Sequence, residues 1–166
     1  MGDINYHLMI TALLAIAPIS EVRGAIPYAL LVAENQFQRL IGVLIAIGCN
    51  MLIPPLAFMV LDLLDKLANW EKTPLYIKKA YWRVLKFGRR RALGLRNESY
   101  AALAIFVGIP LPATGAWTGC LVSYILGFDR KKSIIAVELG VMLAASIVLL
   151  AAYAGVELFI SLSYLP

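Results

Sequence analysis

The uncharged run at residues 40–61, "LIGVLIAIGCNMLIPPLAFMVL", constrains this chain more than any other stretch. As a helix it reaches about 33 Å at 1.5 Å per residue, enough to cross the roughly 30 Å hydrocarbon core of a bilayer. A second run at 139–156, "LGVMLAASIVLLAAYAGV", has the same character. Composition agrees, with 61% hydrophobic and 15% charged residues, where an ordinary globular domain is about half apolar and a quarter charged. The chain reads as an all-α integral membrane protein of one domain, without a cleavable signal peptide.

Its basic residues are concentrated. Lys66, Lys72, Lys78, Lys79, Arg83, Lys86, Arg89, Arg90, Arg91 and Arg96 lie in segment 66–97, and Arg130, Lys131 and Lys132 form a second cluster. Between membrane segments the positive-inside rule accounts for them, so nucleic acid is not an expected partner. Within 66–97, Tyr76, Ile77, Ala80, Tyr81, Val84 and Leu85 recur at helical spacing against Lys78, Lys79, Arg83 and Lys86. That pattern predicts an amphipathic helix lying on anionic inner-leaflet lipids, an anchor and a topology signal.

Two further hydrophobic segments are interrupted. Segment 8–33 is split by "APISEVRGAIP" and segment 99–127 by "GIPLPATGAWTG". The breakers are Pro18, Gly24 and Pro27 in the first, and Gly108, Pro110, Pro112 and Gly115 in the second. The fragments on either side are short for spanning, which suits re-entrant hairpins of two half-helices. Charge counting discriminates. If both segments were single spans, the loop Lys and Arg would divide ten against four; if both are re-entrant, thirteen against one, with Arg39 alone outside. The second division is expected. It places 66–97 and 127–132 in the cytoplasm and both termini outside.

The expected organisation is an inverted repeat: hairpin 8–33 and span 40–64, the basic segment 66–97, then hairpin 99–127 and span 133–160. Interrupted helices that meet near the midplane of an inverted repeat are a recurring transporter architecture. Non-helical backbone at that depth is tolerated where it is buried or lines a watery cavity.

"PISEVRGAIPYAL" (18–30) together with "GIPLPATGAW" resembles the putative small multidrug export protein family of prokaryotes. That family is similar to the DedA/VTT superfamily, whose members carry two opposed re-entrant hairpins. The resemblance covers nearly the whole chain. It implies a small multi-pass transporter of the prokaryotic cell membrane and, through the superfamily, a role in moving lipids between leaflets. The chain departs from these patterns in two places. Ala113 stands where the family usually has glycine, and 108–119 lacks the arginines of DedA proteins.

Glu21 and Arg23 stand out physically. An ionised side chain at bilayer depth costs about 2.5–3.5 kcal/mol on insertion scales, so such residues face a cavity or a partner. Arg23, with the half-helix ends starting after Gly24 and near Gly115, suits a phosphate or carboxylate. Glu21 would be Arg23's ion-pair partner, fixing the hairpin tip, or a proton carrier. Asn50, ten residues into its span, either faces the same cavity or makes an interhelical hydrogen bond. Thr114 and Trp117 flank the second break and could contact an amphipathic substrate. Asp62, Asp65 and Glu157 read as span-end residues.

Several chemistries lack support. His7 is the only histidine, and Cys49 and Cys120 have packing rather than metal spacing. No nucleotide-binding glycine loop occurs, so an ion gradient would supply energy. The expectation is therefore no metal, no cofactor and no enzyme. The leading function is a proton-coupled transporter or flippase for an amphipathic small molecule or lipid with an anionic head. An exporter of lipophilic cations by proton antiport and a non-transporting membrane scaffold are the alternatives, and a homodimer is compatible with each.

Overall fold

The computed structural model describes residues 2–70, 73–92, 99–111 and 113–163, and the side chains of 4–155 among them. Every regular element among the described residues is an α-helix: α1 (Gly2–Ile16), α2 (Glu21–Val32), α3 (Gln36–Met51), α4 (Ile53–Asn69), α5 (Leu75–Ala92), α6 (Tyr100–Gly108), α7 (Ala116–Leu126) and α8 (Arg130–Ser163). Leu52 alone separates α3 from α4 and keeps a right-handed helical backbone. Pro54 and Pro55 fall in the first turn of α4, where a missing N–H costs least. Gln36–Asn69 and Arg130–Gly155 are long and apolar enough to cross a bilayer.

Helix ends follow local sequence. Asn35 caps α3 by accepting from the Gln38 amide at 2.9 Å, and Ser99 caps α6 by accepting from Ala102 at 3.2 Å. α7 stops at Gly127, whose φ of 71° suits glycine, while the Phe128 amide donates back to Ser123 at 3.0 Å. Asp129 then accepts from the Lys132 amide at 3.0 Å and starts α8.

Two pairs of short helices are joined through breaks, α1 and α2 by residues 17–20, α6 and α7 by residues 109–115. The α2 helix runs back beside α1, since His7 Nδ1 and the Tyr28 hydroxyl lie 3.0 Å apart. Pro18, Pro110 and Gly115 fall within these breaks. Gly24 and Pro27 do not. Both lie inside α2, which begins three residues before Gly24. The turn is completed upstream, where Glu21 takes a φ of 49°. Pro27 then forfeits only the bond its missing N–H would have made to the carbonyl four residues back. Pro112, Lys72 and Arg96 lie outside the described residues.

Small side chains dominate where helices touch. Ala15, Ala25, Ala46, Ala57 and Ala116 are essentially buried beside Ile26, Ile53, Leu103 and Val107. Without a hydrophobic drive between helices in lipid, close backbone approach supplies the packing. Gly140 of α8 shows it: an added Cβ would lie 2.7 Å from the Ala104 carbonyl of α6. Large hydrophobics instead point outward, Leu31 at 79% and Leu150 at 72% exposure among them, as a lipid-facing surface requires.

The α5 helix is amphipathic, but its buried stripe is Tyr81, Leu85, Gly88 and Ala92. Tyr81 and Leu85 pack with Leu61 and Ala68 of α4 and Leu121 of α7. Tyr76 and Val84, expected on the apolar face, are exposed. Because α4 and α7 occupy one side, the helix is seated on protein there, leaving Trp82 and Phe87 outward among the Lys and Arg residues.

Candidate functional site where the two breaks meet

Glu21 and Arg23 come from the first break and serve the second. The Glu21 carboxylate is 4% exposed and accepts from the backbone amides of Ala116, at 3.1 Å, and Trp117, at 3.3 Å. These are the first two residues of α7, whose N–H groups have no helical acceptor and carry the positive end of the helix dipole. The Arg23 guanidinium lies at the opposite polarity. It donates to the carbonyl of Leu111, to those of Val107 and Ile109, each at 3.4 Å, and to Thr114 Oγ1 at 3.0 Å. Those carbonyls end α6 and continue into the break. One residue neutralises the start of α7, the other the end of α6.

This arrangement differs from the ion pair expected between Glu21 and Arg23. Among the described residues the ion pair is Asp62–Arg130, and Glu21 and Arg23 do not form one. Two positions apart at the start of a helix, their side chains diverge by about 200° around its axis. Each therefore reaches a different helix end.

Thr114 is 6% exposed and hydrogen-bonded on both sides, donating to the carbonyl of Ile109 or Leu111, both at 2.8 Å, while accepting from Arg23. Trp117 returns the contact to the first break, its indole Nε1 donating to the Ile16 carbonyl at 2.9 Å. Asn50 is fully buried and donates from Nδ2 to the Ala15 carbonyl at 2.8 Å, which is the interhelical bond rather than a cavity-lining position. So the last turn of α1 is satisfied by side chains of α7 and α3, as that of α6 is by α2. Glu21, Arg23, Thr114 and Trp117 form one cluster, and Asn50 supports it from behind.

Gly115 is more than a breaker. A Cβ there would sit 1.8 Å from Glu21 Oε2, so the bare Cα is the floor on which the carboxylate rests. Ala113 adopts a φ of 63°, the left-handed region glycine favours. The glycine that the resemblance led one to expect there would adopt this backbone without strain. Sequence reading passed over Ser20, whose hydroxyl donates to the Leu14 carbonyl at 2.5 Å beside the first break. A serine next to Pro18 in an apolar segment was the available signal. Asp62 and Asp65, read as span-end residues, lie towards the end of α4 and have partners that the sequence did not reveal. Asp62 binds Arg130 of α8, and Asp65 accepts from the Tyr81 hydroxyl of α5 at 2.6 Å.

No curated protein and no solved structure matches this chain. A family model does, over residues 21–147, a stretch that begins at Glu21, just past the first break, and contains the second break with Arg23, Asn50, Thr114 and Trp117. The chain belongs to the family described as "Putative small multi-drug export protein".

Proposed function

We propose that the chain is a small proton-coupled transporter whose two helix–break–helix units are re-entrant hairpins of an inverted repeat, with the substrate site where their tips join. The observation that carries this reading is the exchange of charges between the units: Glu21 on the N-terminus of α7 and Arg23 on the C-terminus of α6. At 1.5 Å per residue α1 reaches about 22 Å, α2 about 18 Å, α6 about 14 Å and α7 about 16 Å, each short of the hydrocarbon core. Their breaks sit against one another as interrupted transporter helices do. The similarity of the small multidrug export family to the DedA/VTT superfamily, named above from the sequence motifs, supports the same organisation.

The Glu21 carboxylate occupies the place an anionic headgroup would take. Protonating Glu21 weakens its hold on the Ala116 and Trp117 amides, because a neutral carboxyl is a poorer acceptor. The vacated amides and Arg23 can then receive a phosphate or carboxylate from an amphipathic substrate. One negative charge leaves the helix end as another arrives, so the exchange avoids an uncompensated charge at membrane depth. Drug export, named in the family description, supports a second substrate class, lipophilic cations. Such a cation would have to draw Glu21 off two amide donors while approaching Arg23.

The deciding experiment is flux in liposomes across pH, comparing a phosphate-headed amphiphile with a lipophilic cation. Anion flux that rises with protonation, loses its pH dependence in Glu21→Gln and falls in Arg23→Gln is the expected result. Cation flux with these dependences would replace the anionic substrate. Flux of neither, in protein that binds both probes, would leave the scaffold reading.

A further inference from the structure

A groove of about 500 Å³ lies between α4 and α8, away from the two breaks. Its wall is apolar, made by Pro55, Phe58, Met59, Leu63 and Ile134, and its charged end carries Asp62, Lys66 and Arg130. Arg130 is fixed there by its salt bridge to Asp62 and by Phe58, whose ring centroid is 5.2 Å from the guanidinium carbon. Lys66 is exposed and has no carboxylate partner among the described residues. Two cations against one carboxylate leave the end of the groove with one uncompensated positive charge.

We infer that this groove holds one anionic phospholipid, its phosphate on Lys66 and Arg130 and an acyl chain against Phe58, Met59 and Ile134. Charge and length both select this occupant. A single phosphodiester completes the neutralisation that Asp62 begins. From Lys66 back to Pro55 the helix rises about 16 Å, close to half the hydrocarbon thickness of a bilayer. Lys66 sits in the last turn of α4 and Arg130 in the first turn of α8, and the apolar wall runs away from them along both helices, so a headgroup bound there would lay its chain along that wall. Basic recesses between membrane helices are a known means of headgroup recognition. Asp62 holds Arg130 in place and so orients the site.

The test is native mass spectrometry of the purified full chain titrated with phosphatidylglycerol or phosphatidylcholine. Wild type should retain one phosphatidylglycerol more tightly than the rest. Lys66→Gln should weaken that binding about fivefold, the effect of one surface lysine on an anionic lipid, and leave phosphatidylcholine unchanged. Met59→Trp, which fills the groove without altering charge, should displace the same lipid. If Lys78→Gln on α5 weakens binding as much as Lys66→Gln, diffuse attraction suffices and the site is refuted. Equal binding of glycerol 1-phosphate, which has no acyl chain, would refute the apolar half. A Met59→Trp protein that folds and keeps the lipid would do the same.

Discussion

Gly115→Ala is the sharpest probe of the contact between the two breaks. Gly115 has φ −74° and ψ −169°, a conformation alanine adopts without strain. On backbone grounds the change should stabilise by about 0.4–1 kcal/mol, through the unfolded chain. The new Cβ would, however, lie 1.8 Å from Glu21 Oε2, 2.3 Å from Cδ and 2.4 Å from Oε1, so the whole carboxylate must move. Moving it breaks the bonds from Ala116 and Trp117. Hydrogen bonds to a charged group are worth about 1.5–3 kcal/mol each, so the net loss should be about 2–5 kcal/mol after the backbone gain. In a Glu21→Ala background nothing remains to displace, and Gly115→Ala should become neutral or slightly stabilising. The assay is reversible unfolding of the four variants in one detergent, read as a double-mutant cycle. A coupling below about 0.5 kcal/mol would refute the contact, because independent sites add within that margin.

Other predictions follow from the same geometry. Exchanging the charges, Glu21→Arg with Arg23→Glu, should not rescue either single mutant, since each side chain faces a helix end of fixed polarity; purified yield and flux would show it. Ala113→Gly should leave flux intact and raise the unfolding midpoint slightly, because relief of a left-handed alanine, about 1–2 kcal/mol, exceeds the added glycine entropy of about 0.5–1 kcal/mol. Burial, together with the hydrogen bond to Asp65, pushes the Tyr81 hydroxyl up to about 12. The unfolded chain therefore loses this proton first, near pH 10, and wild type should lose stability between about pH 10 and 12 in excess of Tyr81→Phe, measured by unfolding midpoint across that window. A C-terminal reporter active only in the cytoplasm should be silent, and activity would refute re-entrant hairpins with both termini outside.

What the sequence disclosed depended on the range of the interaction. The 40–61 and 139–156 runs announce long membrane helices because hydropathy is additive along the chain. Pro18 and Pro110 mark the breaks because proline acts on its own backbone. Gly24 and Pro27 mislead for a related reason. A lone proline costs one hydrogen bond, and packing of Val22, Ala25, Ile26 and Ala29 holds α2 together across it. Glu21 and Arg23 are conspicuous in sequence, yet apart from the Thr114 hydroxyl their partners are backbone groups between Val107 and Trp117, which no side-chain pattern identifies. The Asp65–Tyr81 bond was hidden likewise, since the periodicity of α5 gives an apolar stripe but not the helices that cover it.

The join between the breaks also bears on biogenesis. The groups that Glu21 and Arg23 bind lie 84–96 residues later in the chain. At about 5–20 residues per second, synthesis takes roughly 4–20 s to supply them. During that interval a carboxylate and a guanidinium stand without their acceptors and donors, in a segment whose neighbours prefer lipid. On the re-entrant reading proposed above, α1 and α2 would not settle at depth when they emerge. They would wait at the interface or in the insertion machinery until α6 and α7 arrive, so that both units enter the membrane as a single late event.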